Sequence, residues 1–494
     1  MPETRPARGN NSPIANSSIA LVPHGMTHGR TADPAPLDAI DWTGRRVTVM
    51  GLGTHGGGVG VTRYLARQGA LVTVSDSADY QTLASAIEQI GDLPLVALNV
   101  GGHVAADFRT DFIVVNPAVR PDHSCLADAK THGARLISET ELFLARCPAN
   151  VIGVTGTVGK TTTSTMVHRI LCAAGRRTWL GGNVGRSLLS ELDRMRPDDW
   201  VVLELSSFQL ALLTPAARLP RWAIVTNCSR NHLDWHGSLD AYRQAKLRLV
   251  RGVGKQGHVV LGSFGEDAAQ WQQAASGRAV AAWPRERLPR LKLPGEHNRD
   301  NGACAAAVAE LVGVTAETIA DVLARFSGLP HRIELIADIA GRRFYNDSKS
   351  TSPAATMAAL SAVEGNVWLI AGGDSKGADF GPLASAIVAR SRGAALFGAA
   401  GPELHSAIAA HSPDFAQTIA SSLDDAVDWC WRQSQPGEAI VLSPACASHD
   451  QFVDYRQRGE TFRAIVERLR RRALVYDSPH RVAAESVATS RALD

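Results

Sequence analysis

The chain of 494 residues is long enough for about three domains, at roughly 100–200 residues each. Hydrophobic residues make up 45% of it and charged residues 20%, which excludes an intrinsically disordered chain. Its 51 Lys and Arg residues nearly balance its 48 Asp and Glu residues, and the net charge of +3 disfavours a dedicated surface for nucleic acid or anionic membrane.

The cysteines and the apolar runs indicate the compartment. The seven cysteines include no CxxC pair, which disfavours a disulfide framework or a zinc ribbon and favours a reducing environment. No apolar run reaches the roughly 18 residues that span a bilayer, and the first residues lack a basic start followed by an apolar core. We therefore expect a cytoplasmic protein without membrane insertion.

In chain order, three segments begin with a strand and alternate between strand and helix patterns. Residues 1–42 are rich in Pro, Asn, Ser and Gly and predict a flexible extension. RVTVMGLG, NVIGVTG and RFYNDSKS then open the three segments, which predicts an α/β fold. We place the domains at residues 43–149, 150–328 and 329–472, followed by a tail at 473–494.

The first strand ends in a glycine turn of the kind that binds dinucleotides. GLGTHG supplies Gly51, Gly53 and Gly56, and Asp76 closes the next strand about 20 residues later, where it can meet a ribose. This pattern predicts a Rossmann-like domain. Taken alone, it leaves an NAD-dependent oxidoreductase open as one interpretation.

A phosphate-binding loop opens the second segment, in GVTGTVGKTTT. Gly156 and Gly159 permit a tight turn at a helix start, where backbone N–H groups can surround phosphate oxygens. Lys160 can neutralise phosphate charge and the hydroxyl of Thr161 can ligate Mg²⁺. The loop is a variant, because Val154 stands where the strict motif has its first glycine. We expect binding of a nucleoside triphosphate in a P-loop domain with a mostly parallel sheet; a P-loop switch without a ligase product stays open here.

Two further segments supply candidate metal ligands. Glu204 interrupts the apolar strand WVVLE, which is costly for a carboxylate unless it is paired or binds a metal. His232 follows another strand end, and Lys246 lies on the helix after it. Taken alone, His232 is more typical of a capping or hydrogen-bonded histidine than of a metal ligand, and Lys246 is typical of a solvated helix lysine.

Together, the ordered motifs resemble the ATP-dependent Mur ligases of bacterial cell-wall synthesis over about residues 45–470. The motifs are TGTVGKTTT, GGNVG, ELSSFQL, NHLDWHGS, AKLRL, LPGEHNRDN, GLPHRIE, NDSKSTSP, GGDSKGADF and LSPACASHDQF. ELSSFQL, LPHR, NDSK and SPACAS are most similar to the branch that adds D-glutamate to UDP-N-acetylmuramoyl-L-alanine. The resemblance implies that ATP phosphorylates the substrate carboxylate, that the amine of glutamate attacks the acyl phosphate, and that the third domain is Rossmann-like.

The resemblance also implies roles for individual residues. Thr161 and Glu204 would hold one Mg²⁺, and His232 and a carbamylated Lys246 would hold a second. Catalysis would depend on Lys160, His232, Lys246 and Lys349. ATP would be bound by Gly156, Thr157, Gly159, Lys160, Thr161, Thr162, Asn298, Asn301, Arg332 and Asp347. The UDP-sugar would be bound by Thr54, His55, Asp76, Asn116 and Asn183, and glutamate by Thr351, Lys376, Ser448, His449 and Tyr455. We also expect the protein to act as a monomer.

Three positions depart from the family pattern near the incoming amino acid. His449 stands where an aliphatic residue is usual, Tyr455 replaces a phenylalanine, and Asn231 replaces an acidic residue before His232. A relative that adds L-glutamate or another amino acid, or one that extends folate with glutamate, therefore stays open.

Overall fold

The computed structural model describes residues 35–54, 56–184, 187–254, 256–264, 267–293, 295–375 and 377–490, with side chains up to residue 473. His55, Lys376, and residues 1–34 of the predicted extension lie outside this range. The chain divides between Glu139 and Thr140 into two compact units. Three β-sheets are present in the described residues, one in the first unit and two in the second, so the prediction of an α/β fold is confirmed.

The N-terminal domain is built on a five-stranded parallel sheet in the order β3-β2-β1-β4-β5. Its elements are β1 Arg46–Met50, α1 Gly57–Arg67, β2 Leu71–Asp76, α2 Tyr80–Glu88, β3 Ala97–Val100, β4 Phe112–Val115, α3 Ser124–Thr131 and β5 Arg135–Ile137. Helix α4, Glu139–Arg146, follows and begins at the last residue of the first unit. Strands such as β4, FIVV, are buried throughout, as expected where helices cover both faces of a parallel sheet. The strand order reverses between β1 and β4, which opens a crevice at their carboxyl ends. This arrangement is Rossmann-like.

The packed part of the chain starts earlier than we predicted. Leu37, Ile40 and Trp42 are all buried, although we assigned residues up to 42 to a flexible extension. The Trp42 ring packs edge-on against Phe112 of β4, with ring centroids 4.9 Å apart. The prediction of a flexible extension is therefore corrected for residues 35–42, because three of their apolar side chains are buried and Trp42 packs against the sheet.

The central domain is built on a six-stranded, wholly parallel sheet in the order β11-β10-β9-β6-β8-β7. Its strands are β6 Asn150–Thr155, β7 Thr178–Gly182, β8 Trp200–Glu204, β9 Trp222–Val225, β10 His258–Leu261 and β11 Ala279–Ala281. Its helices are α5 Lys160–Ala173, α6 Ser207–Leu212, α7 Leu233–His236, α8 Leu239–Gly252, α9 Ala268–Ala274, α10 Glu296–Leu311 and α11 Ala316–Arg325. Strand β6 lies between β8 and β9, so the loops after these three strands meet at one edge of the sheet.

The C-terminal domain has a six-stranded sheet in the order β12-β13-β17-β14-β15-β16, parallel except for the β12–β13 pair. Its strands are β12 Glu334–Ile339, β13 Arg342–Asn346, β14 Val367–Gly372, β15 Gly393–Phe397, β16 Gln417–Ile419 and β17 Ala439–Leu442. Its helices are α12 Pro353–Ala362, α13 Gly381–Arg390, α14 Gly401–His411, α15 Leu423–Gln433 and α16 Tyr455–Ser490. Helix α16 continues past residue 472, where we placed the start of the tail. The remaining domain boundaries stay a prediction.

Within the part of the chain that the structure describes, no helix is both long and apolar enough to cross a membrane.

Candidate active site

The phosphate-binding loop between β6 and α5 depends on two glycines. Gly156 has φ +152° and Gly159, which caps α5, has φ +84°. A Cβ atom at Gly156 would lie 1.9 Å from Oγ1 of Thr226, and one at Gly159 would lie 2.1 Å from Oδ1 of Asn301. Neither position can accept a side chain without a shift of its neighbours.

The segment after β9 fastens this loop from one side. Oδ1 of Asn227 accepts the N–H of Val158 at 3.1 Å, while Thr226 Oγ1 donates to the carbonyl of Val158 at 2.7 Å. The hydroxyls of Thr157 and Tyr242 lie 2.9 Å apart. The first N–H groups of α5 have no partners within the helix, so the rigid loop presents them to a ligand at the positive end of the helix dipole.

Two lysines converge on one carbonyl of the loop. Lys160 Nζ donates to the Gly156 carbonyl at 3.0 Å and to that of Thr157 at 2.9 Å, and Lys246 Nζ donates to the same Gly156 carbonyl at 2.9 Å. Lys246 is 1% exposed, and its Nζ lies 4.6 Å from the centre of the Tyr242 ring. Burial, helped by the charge of Lys160, lowers the pKa of Lys246 to about 7. Burial also lowers the pKa of Lys160.

Glu204, at the end of β8, has one carboxylate oxygen without a partner. Its Oε1 accepts a hydrogen bond from Asn183 Nδ2 at 2.8 Å, whereas Oε2 is buried and makes none. A buried carboxylate oxygen in this state is costly unless a cation binds it. No group of three or more His, Cys, Asp or Glu side chains in the described residues could hold a metal by itself. A Mg²⁺ ion here would therefore need hydroxyl, phosphate or water oxygens as well, which suits a P-loop.

His232 stands in a left-handed backbone conformation, with φ +52°, at the start of α7. Oδ1 of Asn231 accepts its N–H at 2.9 Å, and its ring lies 4.8 Å from that of Phe208. Partial burial, together with the nearby lysines Lys160 and Lys246, lowers the pKa of His232. The neutral imidazole is the form that binds metals.

Basic side chains of the C-terminal domain act on the same loop. In addition to burial, the charge of Arg332 lowers the pKa of Lys160, and the charge of Glu204 partly offsets the effect of burial on the pKa of Lys349. Burial is the main cause that lowers the pKa of Lys349. Four of the predicted residues, from two domains, thus share one electrostatic environment.

Both carboxylate oxygens of Asp347 accept hydrogen bonds from other residues of the protein. Oδ1 accepts the N–H of Ile333, which has φ +43°, and Oδ2 accepts the hydroxyl of Ser443 at 2.7 Å. Burial raises the pKa of Asp347 to about 6. The carboxylate fixes the backbone immediately after Arg332.

The asparagines of α10 lie beside the phosphate-binding loop. Asn301 Oδ1 accepts from Thr163 Oγ1 at 3.3 Å, and its Nδ2 donates to Asn298 at 3.4 Å. Thr162 is buried on the same helix as Thr163, whereas Thr161 is half-buried.

The described residues that we predicted to bind the substrate glutamate lie on two loops and at the start of one helix. Lys349 Nζ lies 5.9 Å from the centre of the Tyr455 ring, and the N–H of Thr351 donates to the Lys349 carbonyl. Ser448 is buried next to exposed His449 in the loop after β17.

In the N-terminal domain, Asp76 fastens the glycine turn. Its carboxylate accepts the N–H of Gly53 at 2.9 Å and that of Ala78 at 2.8 Å. Asn116, at the end of β4, donates to the Gly51 carbonyl at 3.1 Å. Thr54 is exposed in the same turn. Asn183, which we also predicted to bind the UDP-sugar, lies in the other unit, where its side chain donates a hydrogen bond to Glu204.

Sequence reasoning missed several supporting residues. Tyr242 bonds the loop hydroxyl of Thr157, and His236 Nε2 lies 3.0 Å from Ser207 Oγ. Arg458 is a fully buried arginine that no motif identified. The signal for His236 was its place in NHLDWHGS, whereas Arg458 appears in sequence as one of many arginines on a charged helix.

Three family models match the chain in order. They are "Mur ligase MurD-like, N-terminal domain" over residues 45–138, "Mur ligase middle domain" over 154–289 and "Mur ligase, glutamate ligase domain" over 331–446. The chain belongs to the Mur ligase family. This confirms the predicted family, the three-domain α/β fold and an enzyme that forms an amide bond, and it leaves the oxidoreductase and switch interpretations without support.

Relatives within the Mur ligase family match along nearly their whole length. UDP-N-acetylmuramoylalanine–D-glutamate ligase of Symbiobacterium thermophilum is 33% identical over 453 residues, which cover 86% of this chain and 98% of the relative. The enzyme of the same name from Roseiflexus sp. is 36% identical over 462 residues, with 86% and 98% covered. The crystal structure of UDP-N-acetylmuramate-alanine ligase MurC from Thermotoga maritima has a TM-score of 0.51 at 18% identity, covering 86% of this chain and 99% of that one, and is similar in fold.

Proposed function

We propose that this Mur ligase joins D-glutamate to UDP-N-acetylmuramoyl-L-alanine at the expense of ATP, in peptidoglycan synthesis. The relatives that match it over most of their length carry the name of this activity. The observation that carries the proposal is the convergence of Lys160 and Lys246 on one loop carbonyl, with the charges of Glu204 and Arg332 acting on Lys160. Such a site clamps a phosphoryl group and needs no covalent nucleophile of its own.

Phosphoryl transfer would begin at the start of α5. The N–H groups there and the ammonium of Lys160 would bind the phosphates of ATP, and Arg332 and Lys349 would neutralise the charge that moves to the substrate carboxylate. Lys160 would then exchange its bonds with the loop carbonyls for bonds with phosphate oxygens. The products of this step are ADP and an acyl phosphate, which the amine of glutamate attacks to give the amide and inorganic phosphate.

Thr161, Glu204, His232 and Lys246 are the residues that would hold magnesium, in two sites. The unpartnered Oε2 of Glu204 fits a cation ligand. When bound, Mg²⁺ would neutralise phosphate charge and help to order the attacking and leaving oxygens.

Lys246 would act as a carbamate. Its pKa of about 7 leaves about half of the amine neutral at pH 7, and a neutral amine is the form that adds to CO₂ with release of one proton. The modified side chain is an oxygen anion, and it would remove the repulsion between two ammonium groups that now share the Gly156 carbonyl.

Two further sets of residues would bind the substrates. Thr54, His55, Asp76, Asn116 and Asn183 would serve the UDP-sugar, while Thr351, Lys376, Ser448, His449 and Tyr455 would serve glutamate. ATP would contact Asn298 and Asn301 beside the loop. The placement of Asp347 under the backbone of Ile333 supports an indirect role for it, through Arg332.

The test is phosphate release by purified protein with Mg-ATP and UDP-N-acetylmuramoyl-L-alanine, in parallel with D-glutamate, L-glutamate and no amino acid. We expect release that needs both the muramoyl substrate and D-glutamate, with one amide formed per phosphate. A preference for L-glutamate would contradict the proposed substrate, and release indifferent to all additions would contradict ligation. The monomeric state and the cytoplasmic location stay predictions.

A further inference from the structure

Arg458, in the first turn of α16, is a buried charge that the proposed reaction does not use. Its side chain is 0% exposed. Burial lowers its pKa to about 10. A guanidinium removed from water is costly unless its donors are satisfied, so its partners show what the position does.

Every donor of this guanidinium is directed at one of two loops. Nε donates to Ser348 Oγ at 3.0 Å, and Nη2 donates to the Ser348 carbonyl at 2.9 Å. Nη1 donates to the carbonyls of Cys446 and Ala447, both at 3.1 Å, and Nη2 also reaches Cys446 at 3.1 Å. These five hydrogen bonds end on four carbonyl or hydroxyl oxygens, and no carboxylate is among the four.

A third loop joins this arrangement through Ala447. Its N–H and carbonyl bond the carbonyl and N–H of Asp374, both at 3.0 Å. A Cβ at Gly373 would lie 2.1 Å from the Ala447 carbonyl and 3.1 Å from Nη1 of Arg458, so the backbone approaches as closely as glycine allows. The loops follow β13, β17 and β14, which are neighbours in the sheet.

The two loops that Arg458 joins carry different parts of the proposed reaction. Ser348 precedes Lys349, which would meet the transferred phosphoryl group, and Ala447 precedes Ser448, which would bind glutamate. The distance between the acyl phosphate and the amine therefore depends on the distance between these loops. Attack requires the reacting atoms at about 3–3.5 Å, and a small misplacement is costly in rate.

We propose that Arg458 is a positioning residue that sets the spacing of the Ser348–Lys349 and Cys446–Ser448 loops and so holds the incoming amino acid against the activated carboxyl group. This inference rests on the proposed function. Its consequence is coupling: when the spacing is wrong, the acyl phosphate still forms but is lost to water before the amine attacks.

The test compares Arg458→Lys with Ser348→Ala and the control Arg468→Lys. Lysine keeps the charge but has three donors from one atom and cannot span both loops. Ser348→Ala removes one acceptor and keeps the arginine. Arg468 lies on the same helix, about 15 Å further along its axis, and is paired with Asp424.

We expect Arg458→Lys to raise the KM for D-glutamate about tenfold, with a much smaller change in the KM for ATP. The ratio of phosphate released to amide formed should rise above the value of wild-type protein. Ser348→Ala should change both quantities in the same direction but less, and Arg468→Lys should match wild type. Melting temperatures, measured on the same samples, show whether each variant is folded at the assay temperature.

Two results would overturn the inference. If wild-type protein forms no amide, the proposed function fails and the inference with it. If wild type forms amide while both variants keep its phosphate-to-amide ratio and its KM for D-glutamate, Arg458 serves only folding, whatever the loss of melting temperature or kcat.

Discussion

Buried ionisable side chains distinguish this site from an ordinary phosphate loop. Lys246, Asp347 and Arg458 are each at most 1% exposed, and each has a pKa shifted by burial towards its neutral form. Burial of this kind is common where a protein tunes reactive groups or fixes loops. The three residues should therefore respond to substitution in different ways.

Lys246→Ala should abolish most of the ligase activity, because it removes both the buried amine and the carbamate that it would form. Changes in residues that only support a metal ligand already cost about 10–100-fold, so we expect at least that loss. Partial recovery with a short added carboxylic acid would show that an oxygen anion is what is missing. Lys130→Ala, an exposed lysine, is the control; full activity of Lys246→Ala would refute the role.

Asp347 should make the free energy of unfolding depend on pH. Its pKa is raised to about 6 in the folded protein from 3.8, so the folded state binds the proton more tightly than the unfolded state. This group adds stability as pH falls through 6, and the gain is complete below about 3.8.

The Asp347→Asn variant lacks the carboxyl group and with it this pH-dependent contribution to stability. The melting temperature of wild type relative to the variant should therefore increase as pH is lowered from 7.5 to about 5. Differential scanning calorimetry at matched ionic strength measures the difference, and a difference that is constant with pH would be incompatible with the raised pKa.

For single residues, the sequence predicted those of the phosphate-binding loop but not the buried side chains that hold the loops of the site in place. Lys160 and Thr161 follow from a short motif whose spacing is local. Arg458 bonds Ser348 across 110 positions, and its burial depends on how α16 packs on the sheet. A local sequence motif does not indicate which distant residues will come into contact.

At the scale of elements, the start of α5 combines two constraints. Gly159 needs a left-handed backbone, and it has Asn301 of α10 directly against it. The helix is thereby fixed with its N–H groups exposed to a ligand. Sequence predicted the glycine from the first constraint alone.

Gly159→Ala should abolish nucleotide binding, because its Cβ would lie 2.1 Å from Asn301 Oδ1. Gly175→Ala is a matched control: it follows the same helix with φ +76°, and a Cβ there meets nothing within 4 Å. The control should lose only about 1 kcal/mol of stability from backbone strain. Isothermal titration with Mg-ATP separates the two, and equal affinities would contradict the role of the loop.

The segment at 35–42 shows where composition misleads. It belongs to residues 1–42, whose content of Pro, Asn, Ser and Gly predicted an extension, yet Trp42 is 1% exposed against Phe112. Burial of a single tryptophan can outweigh a local composition that favours disorder. Periodicity could not detect it, because the segment contains only a few apolar residues and no repeat.

At the scale of the whole molecule, the sequence indicated three sheets from three strand-glycine-helix starts. It did not indicate that β6 lies between β8 and β9, or that β13 and β14 flank β17. These neighbours are formed by crossovers over tens of residues. They bring Gly156, Glu204 and Thr226 to one edge of the central sheet, where motif order alone leaves their proximity unspecified.

A bound nucleotide should contact residues of both the central and the C-terminal domain of the second unit. A ligand at about 100 times its Kd stabilises the folded state by about 2.7 kcal/mol, so saturating Mg-ATP analogue should raise the melting temperature. Arg332 is exposed and acts on Lys160 of the phosphate-binding loop. Arg332→Ala should therefore keep the melting temperature of the free protein but show a reduced increase with nucleotide.

Arg325→Ala is the matched control for this change, because Arg325 is exposed, lies seven positions earlier and pairs with Asp321 within α11. Its increase with nucleotide should equal that of wild type. A thermal shift series against analogue concentration measures all three proteins. An increase in Arg332→Ala as large as in wild type would mean that the nucleotide is held by the central domain alone, and that the basic side chains of the C-terminal domain act only after ATP has bound.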